Sequence, residues 1–203
     1  MAKPFTWLNP AVWTGGSAPA GLMLYRASTH ELGANPIAAA LNQLGLLALT
    51  LLVLTLACTP LQKLTGWTWP PRIRRTLGLL TFGYATAHLL TYATLDLGLD
   101  FGALGADIVK RPFITVGFTA WLCMLPLALT STDAMVRRLG FVRWKRLHRL
   151  SYACAALGVV HFVWRVKKDL TEPLIYGAVF GALLAARALP QRKKRKGGHA
   201  SAA

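Results

Sequence analysis

The sequence predicts an all-α membrane protein, a bundle of six transmembrane helices with both termini cytoplasmic. Three observations predict it. The 203-residue chain is 54% hydrophobic, and apolar stretches close to twenty residues long recur along it. Its formal net charge of +16 is gathered between and after those stretches rather than spread over them. That distribution is the signature of membrane topology and argues against a nucleic-acid partner. No cleavable signal peptide is read at the start, where Lys3 is followed by a run broken at Pro10, Gly15, Gly16 and Pro19.

Taken in order, the spans fall at about 7–25, 37–59, 76–95, 112–130, 148–164 and 173–189, and a basic cytoplasmic tail fills 191–203. Residues 1–190 make one transmembrane domain. Each span falls within the range of roughly 17–25 residues that crosses a membrane as a helix. The first is weakest, because its prolines and glycines kink or shorten a helix. The second ends at Thr59-Pro60. Between spans, 26–36 and 96–111 read as polar, turn-rich loops, while 61–75 and 131–147 read as basic loops. The three cysteines, Cys58, Cys123 and Cys154, are far apart and read as small buried apolar residues.

Charge fixes the direction of the spans. Seventeen of the 23 Lys and Arg fall on the side that holds Lys3, the two basic loops, Arg149, Arg187 and the tail. That side is cytoplasmic. Spans three and five therefore run parallel, from inside to outside. Trp67, Trp69, Trp144 and Trp164 fall at interfaces and read as an aromatic belt.

Two histidines lie inside spans, and an ionisable residue at membrane depth marks a functional site by default. His88 stands thirteen residues beyond Arg75, and His161 stands thirteen beyond His148. On parallel helices both are therefore about 20 Å from the inner end. Two imidazoles at one depth on neighbouring helices are positioned to bind one iron between them, so His88 and His161 are read as axial ligands of a b-type haem. Small neighbours, among them Gly83, Ala85, Ala155 and Gly158, leave room for a flat macrocycle. The competing readings are a hydrogen-bonded core pair, or a transporter or proton relay in which the rings titrate.

His148 sits at the inner interface, where a second haem would stack below the first. On an ideal helix it lies roughly 140° around from His161, and its level on span three carries Arg74 and Arg75 in place of histidine. A solvated interfacial His148 and a ligand stand as equal readings, beside contact with a flavin or quinone. Arg74 and Arg75 belong to a basic collar that orients the protein and meets lipid headgroups. The sharper reading gives them haem propionates or a cofactor phosphate. Arg165, Lys167 and Lys168 oppose the positive-inside trend and read as partners for propionates or a docking protein. His30 and His199 receive no role.

The segments ELGANPI, RRTLGLL, HLLTYATLDLGLD, DIVKRPFITVGF, LPLALTSTDAMVRRLG, RLHRLSY, HFVWRVKKDL and EPLIYG, spread over 31–187, resemble a known family. It is the haem-binding membrane subunit of the protein-methionine-sulfoxide reductase system, in the ferric-reductase-like transmembrane superfamily. The resemblance implies that His88, His148 and His161 take part in haem binding, with one or two haems. It further implies FMN, a periplasmic molybdenum-containing reductase subunit as partner, and electrons from the quinone pool or a cytoplasmic flavin reductase. The expected setting is the bacterial inner membrane. Related ferric reductases carry a flavin and nicotinamide domain after the last span. Here a short basic tail follows instead, and no GxGxxG motif is present. Substrate turnover is thus expected on the partner.

Overall fold

The computed structural model describes residues 6–166 and 168–188. Lys3, Lys167, His199, the end of the sixth expected span and the tail 191–203 lie outside the described residues. Among those described, every regular element is helical. The helices are α1 (Leu8–Ser28), α2 (Pro36–Thr65), α3 (Pro70–Thr91), α4 (Phe101–Lys110), α5 (Pro112–Leu129), α6 (Asp133–Leu139), α7 (Phe141–Leu147), α8 (Leu150–Arg165) and α9 (Thr171–Ala188). A π-helical turn, Tyr92–Asp96, extends α3. Two helices, α2 and α5, are long and apolar enough to cross a membrane by length and composition.

The centre of the bundle is α2. Its 30 residues span about 45 Å, and it is apolar on all sides, as a helix surrounded by others must be. One face joins α3 through Leu44, Leu51, Ile73, Leu77 and Leu80. The other carries Leu52 and Leu56 onto Cys154 and Ala155 of α8, with Phe180 and Leu183 of α9 beside them. Asn35 caps its start by accepting from the Ala38 N–H at 3.0 Å. Gly66 ends it in the left-handed region at φ 74°, where a side chain would be strained. The helix therefore runs past the expected stop at Thr59-Pro60. Large apolar side chains such as Leu122, Leu129, Leu174, Ile175 and Leu184 point away from the protein, the arrangement expected of surfaces facing lipid rather than water.

Three further differences from expectation have local causes. Residues 101–110 form α4 and not a loop, because Asp100 accepts from the Ala103 N–H at 2.9 Å and starts a helix there. The basic stretch 131–147 holds α6 and α7, with Thr132 capping the first by accepting from the Met135 N–H. The first helix is continuous through Pro19. Tyr84 of α3 stabilises it there: the hydroxyl donates to the Gly16 carbonyl at 2.6 Å and accepts from the Ala20 N–H at 3.2 Å. Both groups belong to one rung of α1, one residue from the proline that lacks its own N–H. Tyr84 thus ties α1 to α3. Tyr84→Phe is expected to cost about 1 kcal/mol, because the freed N–H and carbonyl can pair with each other. Thermal unfolding in detergent would show a small shift with α1 still docked; a loss several times larger would rule out that local repair. The cysteines are all free, with Cys58 and Cys154 buried in the core.

Candidate functional site

His88 lies in the last turn of α3 and His161 in the last turns of α8. Their rings meet: the centroids are 6.2 Å apart and the planes stand at 87°. Each ring is held by Nδ1. His88 Nδ1 lies 2.9 Å from the Leu41 carbonyl of α2, and His161 Nδ1 lies 2.7 Å from the Phe113 carbonyl of α5. A carbonyl only accepts, so Nδ1 carries the proton in both rings and Nε2 keeps its lone pair. Neither Nε2 has a hydrogen-bond partner among the described residues.

Both rings line one cavity of about 330 Å³ between α2, α3, α5 and α8, within the ~300–1,000 Å³ usual for cofactor sites. Small side chains open it, including Ala48, Ala85, Ala120 and Gly158. Leu49, Leu52, Phe118 and Met124 make its walls apolar. Trp121 is fixed there by donating from Nε1 to the Thr86 hydroxyl at 3.0 Å. Polar groups gather near the ends of α3 and α8: Tyr92, Asp96, Arg111 and Arg165 all face the cavity. Asp107, just behind them, accepts from the Tyr92 hydroxyl and pairs with Arg111 at 3.1 Å.

The other expected site residues lie elsewhere. His148 is outside the cavity lining, in the break between α7 and α8. Its ring packs against Trp144 with centroids 4.0 Å apart and planes tilted by 31°, and its Nε2 is 3.1 Å from the Thr130 hydroxyl. Trp144 in turn donates from Nε1 to the Thr130 carbonyl. Arg74 donates to the Thr59 hydroxyl at 3.2 Å. Arg75 pairs with Asp133, and its guanidinium holds that carboxyl below the usual carboxylate range. Tyr84 is buried against α1 and stands apart from the cavity.

Residues 44–159 match the family described as ferric reductase like transmembrane component. The protein-methionine-sulfoxide reductase heme-binding subunit MsrQ of Rhodospirillum rubrum is 49% identical over 193 residues, 95% of this chain and 88% of the relative. That of Deinococcus radiodurans is 50% identical over 186 residues, 91% of each. This chain belongs to the MsrQ family. A third MsrQ, from Azospira oryzae, is 54% identical over 157 residues, 77% of this chain and 67% of the relative.

In this MsrQ-family chain, sequence reasoning singled out both rings at the cavity and missed what holds them. Leu41 and Phe113 act through backbone carbonyls, which leave no mark on residue type. Gly45 and Gly117, one helical turn further on, lie against the two rings. Arg111 falls in the expected loop 96–111 and Tyr92 in the expected span 76–95, and neither position by itself carries a mark of the cavity. Their common signal was proximity to α4, which went unread as a helix.

Proposed function

We propose that this chain is the membrane-embedded b-type cytochrome subunit of a methionine sulfoxide reductase system, with His88 and His161 holding haem between them. One observation carries the proposal: two imidazoles face one cavity, each with Nδ1–H given to a backbone carbonyl and Nε2 left bare. Histidines that bind metals are oriented in this way, the second nitrogen donating to a carbonyl or carboxylate. The rings face each other with centroids 6.2 Å apart, and the two free nitrogens would hold the haem iron between them. Haem held between two imidazoles accepts and releases single electrons at a potential that burial and ligand hydrogen bonds tune.

The chain's own residues supply position and environment. Apolar walls from α2 and α5 exclude water. Arg111 and Arg165 offer guanidinium groups to carboxylates at the polar end. We further propose six spans with both termini cytoplasmic in the bacterial inner membrane, residues 1–190 forming one domain followed by the basic tail. The bias of Lys and Arg supports this. The polar end of the cavity then faces the periplasm, toward a molybdenum-containing reductase subunit that repairs oxidised methionine. Electrons enter from the quinone pool or a cytoplasmic flavin reductase. His148, with Arg74 and Arg75, lies at the inner end, where a second haem or FMN would be met. FMN rests on the family resemblance alone.

The test is colour. Protein purified from membranes with ample haem supply should show a Soret band that shifts on dithionite reduction. Haem and flavin per polypeptide give the count of each. Colourless protein would favour a transporter or proton relay.

A further inference from the structure

Both imidazoles reach their carbonyls by the same device. In a helix, the carbonyl of one residue accepts from the N–H four residues later and keeps a second lone pair. Helical side chains lean toward the N-terminus, so the side chain four residues later lies over that lone pair. At both sites the covering position is glycine. Gly45 follows Leu41 in α2, and Gly117 follows Phe113 in α5. The histidine ring occupies the space the missing side chain would fill. A Cβ on Gly117 would stand 2.6 Å from His161 Nδ1 and 2.8 Å from its Cε1. A Cβ on Gly45 would stand 3.3 Å from His88 Nδ1 and 3.4 Å from its Cε1. Gly83, on α3 near His88, meets nothing within 4 Å. The histidine follows its carbonyl residue by 47 positions in one hairpin and 48 in the other.

We infer that Gly45 and Gly117 are positioning residues: their bare Cα atoms admit each imidazole to a helix carbonyl, and that carbonyl dictates which nitrogen faces the cavity. The inference rests on the reading that His88 and His161 hold haem iron. The bond fixes the tautomer and the rotation of the ring, and it raises the basicity of the nitrogen left free. The two sites are unequal. At Gly117 a methyl group overlaps the ring itself, so the imidazole must leave Phe113. At Gly45 the ring need yield only by tenths of an ångström.

The experiment titrates haemin into full-length wild type, Gly45→Ala, Gly117→Ala and the control Gly83→Ala, all purified free of haem. Two quantities are read: the dissociation constant, and the low-spin electron paramagnetic resonance signal of a bis-imidazole ferric centre. Circular dichroism and gel filtration report folding. Gly117→Ala should bind about 10–100-fold more weakly, as loss of an outer-shell partner does, and should lose low-spin signal. Gly45→Ala should stay low-spin, with shifted g values and a loss of less than about tenfold. Gly83→Ala should match wild type. If Gly117→Ala and Gly45→Ala both match wild type in affinity and spin state, the inference is overturned while the haem reading stands. If wild type takes up no haemin, both fall. Should Gly117→Ala fail to fold, the series Gly, Ala, Val at position 45 decides. Affinity must then drop stepwise, and a flat series overturns the inference.

Discussion

His88→Ala and His161→Ala, each made alone, are expected to leave the purified protein without its low-spin Soret absorbance. Removing an outer-shell partner of a metal ligand costs roughly 10–100-fold in affinity; removing the ligand itself should exceed that, so haem content falls to background at ordinary supply. The two losses should be equal, because among the described residues each ring is the sole imidazole on its side of the cavity. Neither variant should unfold. The rings lie in the last turns of α3 and α8 and line an opening, away from the buried leucines that join α2 to α3. Circular dichroism should therefore be unchanged while the colour goes. His148→Ala provides the contrast. That ring packs against Trp144 and is outside the cavity lining, so the low-spin signal of the His88–His161 site should survive. A fall in haem per polypeptide with that signal intact would place a second haem at His148. Full haem in both His88→Ala and His161→Ala would end the ligand assignment.

How much of this was legible in the sequence depends on whether a feature is local. Depth was legible. Counting thirteen residues along two helices placed His88 and His161 at one level, and their rings meet. The angle assigned to His148 was less secure in kind, because it assumed one unbroken helix from 148 to 161. The backbone instead breaks between Leu147 and Leu150, so an ideal-helix angle does not carry across. Residues 96–111 read as a loop because they carry three aspartates and three glycines, although one of those aspartates, Asp100, is in fact a helix cap. The carbonyls of Leu41 and Phe113 were invisible for a deeper reason. Every residue has a carbonyl, and only the tertiary fold decides which two receive an imidazole. The glycines did carry a signal, offsets to the histidines that differ by one residue, but nothing in one sequence separates it from ordinary close helix packing.

Arg187→Ala is expected to destabilise the protein by about 2–4 kcal/mol, and the reason lies on another helix. Pro60 sits inside α2 and has no N–H to give to the carbonyl four residues before it. That carbonyl belongs to Leu56, one of the most buried residues of the core. Arg187 of α9 reaches across and donates from Nη2 to the Leu56 carbonyl, and from Nη1 to the Tyr152 hydroxyl of α8. Its guanidinium carbon lies 4.9 Å from the centre of the Tyr152 ring. One side chain thus joins three helices and satisfies an acceptor that the proline orphaned. Leu56 is buried among its neighbours, so its carbonyl depends on a protein donor. Lysine is a poor substitute, since a single ammonium lacks the planar fork that serves both acceptors at once, so Arg187→Lys should recover less than half of the loss. The decisive measurement is a double-mutant cycle. Pro60→Ala restores an N–H opposite Leu56, so Arg187→Ala should cost less in that background, by about 1 kcal/mol or more. Strict additivity of the two substitutions in unfolding experiments would show that the guanidinium does not serve the orphaned carbonyl, leaving its bond to the Tyr152 hydroxyl and the Thr50–Tyr176 hydrogen bond as the polar ties of α9.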